Sequence, residues 1–352
     1  MEKHRKKLIK NVAVFDGHSS GLAQGKKIVS EDDIVTEITV DEVSEENFDE
    51  VFDGTGMVAM PGMMDAHVHM GCLFAKGEFP VDYATVLTVA KCKDALMAGF
   101  TTFRDAGSVS EGLKLAFDEG VLPEPRIYPC GAYISQTCGH GDSEYAHTYR
   151  DIQYRHPSST VLADGVPEII RAVREQFYRG ASHIKLMATE ILNRHEDIRL
   201  LFGTDMMITG PDYQVEQSED IRYYEKRFGT MRALRALTGT ANEVFALTTY
   251  QNPYPKGKIG VLEAGAFADL LLVDGDPTKR VSVLADTDYE RWNGVQKYTV
   301  LRFYSANTLT CIWLRFVVIL FQKLKAGGNY ERAAVLDCGM DCEDSQPHSS
   351  SE

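Results

Sequence analysis

Little in this chain marks it for a membrane, the secretory route or nucleic acid. The mostly apolar stretch from Leu309 to Phe321 is interrupted by Arg315. It falls short of the ~20 apolar residues that a spanning helix requires. A buried or partner-seeking helix is the expectation there, and membrane association is not expected. Basic residues are in the minority, 37 Lys and Arg against 51 Asp and Glu, for a net charge of −14. That balance argues against a nucleic-acid partner. The early basic run Lys3-His4-Arg5-Lys6-Lys7 reads as a solvated tail. No apolar signal core follows it, so secretion is not indicated. Seven scattered cysteines give no disulfide framework, and a reducing, cytoplasmic location is expected.

What is present is an ordinary globular composition, 44% hydrophobic and 25% charged over 352 residues. Residues 1–57 read as β-rich. From Val58 the pattern changes to strand–helix alternation. VAMPGMMDAHVH predicts a strand, TVLTVAKCKDALMAG a helix stopped at Gly99, FTTFRDAG a second strand and GLKLAFDEG a second helix. RIYPCGAYIS predicts a third strand. GVPEIIRAVREQFYRG predicts a helix with Ile169, Ile170, Val173 and Phe177 at helical spacing, and HIKLMA a fourth strand. Repeated β-then-α units imply a parallel sheet. In a closed barrel the reactive groups stand at the C-terminal strand ends. His69, Arg104, Ser135, Lys185 and Asp205 all lie at or near such ends. RLLFGTD predicts a further strand and YYEKRFGTMRALRAL a helix. GKIGVLEAGAFADLLLVDGDP returns to β character, with strands expected to rejoin the amino-terminal segment.

Five side chains could carry the chemistry. His67 and His69 are two apart on a strand, so both imidazoles face one side, with Asp65 before them. Such a pair is half of a metal site, although a His-x-His pair also arises by chance. Lys185 as an ammonium cannot ligate a cation. Having added carbon dioxide it becomes a carbamate, an anionic ligand able to bridge two metals. The plain reading is a surface or ion-paired lysine, which its apolar neighbours Ile184 and Leu186 weaken, because a bare buried charge is costly. Asp205 could ligate and also take a proton from water activated by a dication, or it could simply be a turn aspartate. His140, between Gly139 and Gly141, could polarise a substrate carbonyl. His147, His156, His183 and His195 have weaker claims, and His183 and His195 read as structural or exposed.

The segments VFDG, MPGMMDAHVH, AGFTTFRDAG, ISQTCGHGD, ADGVPEIIRAVREQ, IKLMA, FGTD and GKIGVLEAGAFADLLLVDGDP come in the order found in the metal-dependent amidohydrolase superfamily. The chain resembles its branch of imidazolonepropionase-like enzymes, Xaa-Pro dipeptidases and ochratoxin-type amidases. The resemblance implies an α/β fold, a TIM-type (β/α) barrel beside a small β-sandwich made by both chain ends. It implies zinc, two ions in the complete pattern, held here by His67, His69, carboxylated Lys185 and Asp205. It also implies hydrolysis of amide or non-standard peptide C–N bonds by metal-activated water. Asp205 would be the proton shuttle and His140 would stand near the carbonyl. The expected substrate is a small amide or dipeptide-like molecule, and self-association stays open.

The chain departs from that pattern in one interval. Two further histidine ligands belong between the lysine and the aspartate, but only 20 positions separate Lys185 from Asp205. A whole βαβ unit needs roughly 30 residues, so the fifth and sixth strands and most of the seventh are expected to be absent. The expected organisation is a composite β-sandwich from 1–57 plus 256–285 and a barrel over 58–255 truncated between about 189 and 195. An atypical tail follows over 286–352, polar and disordered at its end. At most one zinc is expected. Exposed sheet edges should lower stability or solubility. The alternative is a catalytically dead product of truncation, acting as a binding or inert protein.

Overall fold

The computed structural model describes residues 5–70, 81–107, 109, 111–121, 125–137, 139, 141–142, 160–186, 199–207, 213–285 and 298–302. Five strands come first: β1 (Lys6–Val14), β2 (Ala23–Glu31), β3 (Ile34–Thr39), β4 (Glu50–Asp53) and β5 (Val58–Pro61). Next are β6 (Met63–His69), α1 (Val81–Met97), β7 (Phe100–Asp105), α2 (Glu111–Asp118), β8 (Arg126–Tyr128), β9 (Tyr133–Ser135), β10 (Thr160–Leu162) and α3 (Gly165–Tyr178). The remainder is β11 (Met206–Met207), α4 (Tyr213–Phe228), α5 (Thr230–Ala236), α6 (Gly239–Phe245), β12 (Asp269–Val273) and β13 (Tyr298–Arg302).

Two larger sheets organise these elements. In the first the order is β13-β12-β5-β1-β2-β3, with β4 also on β1. Within it, β12 is antiparallel to β5, Leu271 opposite Met60, so a late strand lies beside the amino-terminal ones. The second sheet is parallel throughout, β11-β6-β7-β8. β9 and β10 form a separate parallel pair, and Leu186 bridges to Ile134 of β9. The parallel sheet is covered by helices, and its strands are accordingly apolar on both faces. Met63, Val68, Phe100, Phe103 and Ile127 are buried in one cluster with Phe202 and Leu234. Burying each large apolar side chain contributes roughly 1.5–3 kcal/mol, which makes this cluster the platform on which the strand ends stand.

A buried ion pair joins the two sheets. Arg126 of β8 donates from Nε to Asp269 of β12 at 2.6 Å, and its guanidinium lies 3.5 Å from the ring centroid of Phe267.

Several elements differ from the sequence expectation. The strand expected over 58–69 is two strands in different sheets, divided at Gly62. The third strand is interrupted between β8 and β9, where buried Gln176 of α3 accepts the Ala132 backbone N–H at 2.8 Å. Hence Ala172 and Gln176 are the buried residues of α3, while Ile169 and Ile170 are exposed. The long helix breaks at Gly229, whose φ of 81° suits glycine. The strand expected over 199–205 begins only at Met206. The interval in which truncation is expected, about 189–195, and the apolar run 309–321 lie outside the described residues. No helix among the described residues is long and apolar enough to cross a membrane.

Candidate metal centre

The parallel sheet brings two distant segments edge to edge. β11 pairs with β6, Met206 opposite Val68 and Met207 opposite His69. Just before it, the Asp205 N–H donates to the His67 carbonyl at 2.7 Å. Gly203 packs so closely on His67 that a Cβ there would stand 2.9 Å from the His67 Cβ. Any larger residue would force the two segments apart. Asp205 adopts a left-handed backbone, φ 55°, tolerated by aspartate better than by most residues. This twist is the reason the FGTD segment is not regular strand, and it coincides with the turn of the carboxylate towards the imidazoles.

The resulting geometry is tight. Oδ1 of Asp205 lies 2.9 Å from Nε2 of His67 and 3.3 Å from Nε2 of His69. The ligand atoms of His67, His69 and Asp205 all fall within 4.8 Å of one another. Nζ of Lys185 lies 2.8 Å from Nε2 of His67. Four of the five residues singled out in the sequence are thus brought together. His140, the fifth, lies outside the described residues, as do His147, His156 and His195.

The donor set fits a zinc-class ion. Two imidazole nitrogens and one carboxylate oxygen are common zinc ligands, and bonds of about 2.0–2.1 Å in a tetrahedral shell put donors roughly 3.3 Å apart. Burial, followed by the Lys185 charge, lowers His67 to about 4. Its ring is therefore neutral and able to ligate near pH 7.

Beneath the ligands lie groups that periodicity alone did not single out as functional. Asp65 is fully buried, and burial pushes its carboxyl up to about 7 despite the N–H and hydroxyl donors it holds. Asp105, at the end of β7, is likewise raised to about 7 by burial, and it accepts the Met70 N–H at 3.0 Å. Its sequence signal was its place at a strand end. His183, expected to be structural or exposed, is half-buried, with Nδ1 3.0 Å from Ser182 Oγ. Burial, then the nearby Arg104 charge, lowers it to about 3. Arg104 reaches the Ala66 carbonyl at 3.4 Å.

Comparison with known proteins points the same way. Residues 58–197 match the model of the Amidohydrolase family. An ochratoxinase of Aspergillus niger is 34% identical over 152 residues, 38% of this chain and 31% of that enzyme. The chain therefore spans about a third of the length of the curated relatives it matches. Among solved structures, an amidohydrolase superposes with a TM-score of 0.68 at 22% identity, covering 79% of this chain and 94% of the other. A prolidase complexed with N-methylphosphonate-L-proline gives 0.68 at 20% identity, covering 85% and 100%. The A. niger ochratoxinase structure gives 0.64 at 18% identity, covering 81% and 93%. The fold resembles that of these solved structures, and the resemblance read from the sequence is borne out by the Amidohydrolase match over residues 58–197.

Proposed function

We propose that this chain, an amidohydrolase-superfamily relative matched over residues 58–197, is a hydrolase scaffold for amide or non-standard peptide C–N bonds with a single zinc site. The observation that carries the reading is the approach of Asp205 Oδ1 to both imidazoles, 2.9 and 3.3 Å, from segments far apart in sequence. His67, His69, Asp205 and a carboxylated Lys185 would hold the ion. When bound, a dication makes water nucleophilic near neutral pH. The rest falls to the protein. Asp205, 70% exposed, has a carboxylate oxygen free to accept a proton from the attacking water and return it to the leaving nitrogen. His140 would polarise the carbonyl. The neutral His67 ring keeps its lone pair for ligation. The scaffold in this reading is a (β/α) barrel lacking units between Lys185 and Asp205, beside a small β-sandwich built from both chain ends. It resides in the cytoplasm.

The substrate class in this reading is a small N-acyl amino acid or dipeptide, since similar structures are prolidase and ochratoxinase. The experiment is turnover of a panel of such amides by the zinc-loaded chain and by its Asp205→Asn variant. Hydrolysis by the first and not the second supports the reading.

A second reading rests on a specific observation. Only 20 positions separate Lys185 from Asp205, with one histidine, His195, among them, where the resemblance implies two further histidine ligands, so the scaffold could bind zinc and a ligand without turnover. Zinc uptake with no hydrolysis across the panel would favour it.

A further inference from the structure

Asp65 is fully buried and is not among the three residues whose ligand atoms converge. Its Oδ1 accepts the backbone N–H of His67 at 3.1 Å and that of Thr204 at 3.3 Å. Its Oδ2 accepts the Thr204 hydroxyl at 2.9 Å and the Gln217 side-chain amide at 3.4 Å. One buried carboxylate thus grips the residue that carries a ligand imidazole and the residue just before the ligand carboxylate. The grip matters because Asp205 immediately precedes a strand of only two residues, Met206–Met207. So short a strand fixes its register weakly, and a one-residue slip would turn every side chain to the opposite face. Thr204 is where such a slip would be resisted. Asp65 itself is fully buried, and a buried polar group left without its hydrogen-bond partner is costly.

We propose that Asp65 is a positioning residue that, through Thr204, sets where Asp205 stands against His67 and His69. The inference rests on reading those three residues as metal ligands. Asp65 touches neither ion nor substrate. It shapes the cage by tying β6 to the 204–207 segment, and Gln217 extends the tie to α4.

The test is zinc affinity of the full chain, by competition with a chelating dye, read beside the thermal melt of the metal-free protein. Thr204→Val removes the hydroxyl donor and keeps the volume. It should weaken zinc binding about tenfold, the lower end for partners that orient ligands. Its melt should shift no more than that of Ile28→Ala, a cavity variant in β2 whose zinc affinity should match wild type. Asp65→Asn keeps an oxygen for the two N–H groups and should retain wild-type affinity, whereas Asp65→Ala should lose it. If Asp65→Ala does not fold, the Thr204→Val and Asp65→Asn pair decides. Wild-type affinity in Thr204→Val overturns the inference and leaves the metal site standing. A wild-type chain that takes up no zinc overturns the metal reading and this inference with it.

Discussion

Nζ of Lys185 lies 2.8 Å from Nε2 of His67, the same nitrogen that faces Asp205. As a plain amine, Lys185 donates to the lone pair that an ion would use. As a carbamate it would instead add an anionic oxygen to the cage. Zinc loading of the metal-free chain should therefore rise with added bicarbonate, and Lys185→Ala should abolish that dependence. Native mass spectrometry should find one added carbon dioxide in the zinc-loaded wild type alone. Loading that ignores bicarbonate would contradict this role.

The proposed ligands should be less replaceable than the groups around them. His69→Ala and Asp205→Ala should each weaken zinc by more than the roughly 10–100-fold typical of orienting partners. Titration calorimetry with zinc checks this. Affinity in either variant within tenfold of wild type would place the ion elsewhere.

A pH dependence follows from Asp105. Burial raises its folded-state value to about 7, against an unfolded value near 3.9. The folded protein therefore holds a proton that the unfolded chain releases between these values. The stabilisation from this group is complete below about pH 4 and is lost as pH rises through 7. Measured in chelator, the melting temperature of wild type minus that of Asp105→Asn should fall between about pH 4 and 7 and then level. A difference constant across that window would show that Asp105 does not titrate there.

The Arg126–Asp269 pair should matter for stability and not for the ion. Both partners are buried, and removing one leaves the other charge uncompensated. Arg126→Ala should cost about 3–5 kcal/mol in urea unfolding with zinc affinity unchanged. A cost under about 1 kcal/mol, the value of an exposed pair, would mean that water reaches Asp269.

The convergence of His67, His69, Lys185 and Asp205 was legible because each carries a local mark. His67 and His69 share a strand face by simple alternation, and Lys185 and Asp205 each end an apolar run. The supporting shell was less legible because it is made by contacts between segments. Asp65 has the same period-two spacing as the histidines, but its importance comes from Thr204 and Gln217, which only the fold brings near. The α/β alternation was readable from apolar runs and glycine stops. Strand limits were not, because backbone details decided them: the division at Gly62, the left-handed turn at Asp205, the break at Gly229. On α3, Ile169 and Ile170 looked like core by spacing, yet Gln176 is buried because a strand interruption offers it the Ala132 N–H.

The most direct measurement is zinc per chain, by elemental analysis of the purified protein loaded in bicarbonate and then desalted. A value of one zinc per chain for wild type, falling to none in His67→Ala and in Asp205→Ala, is the expected result. No bound metal, two ions per chain, or one that survives both substitutions would contradict convergence of these residues on a single cation.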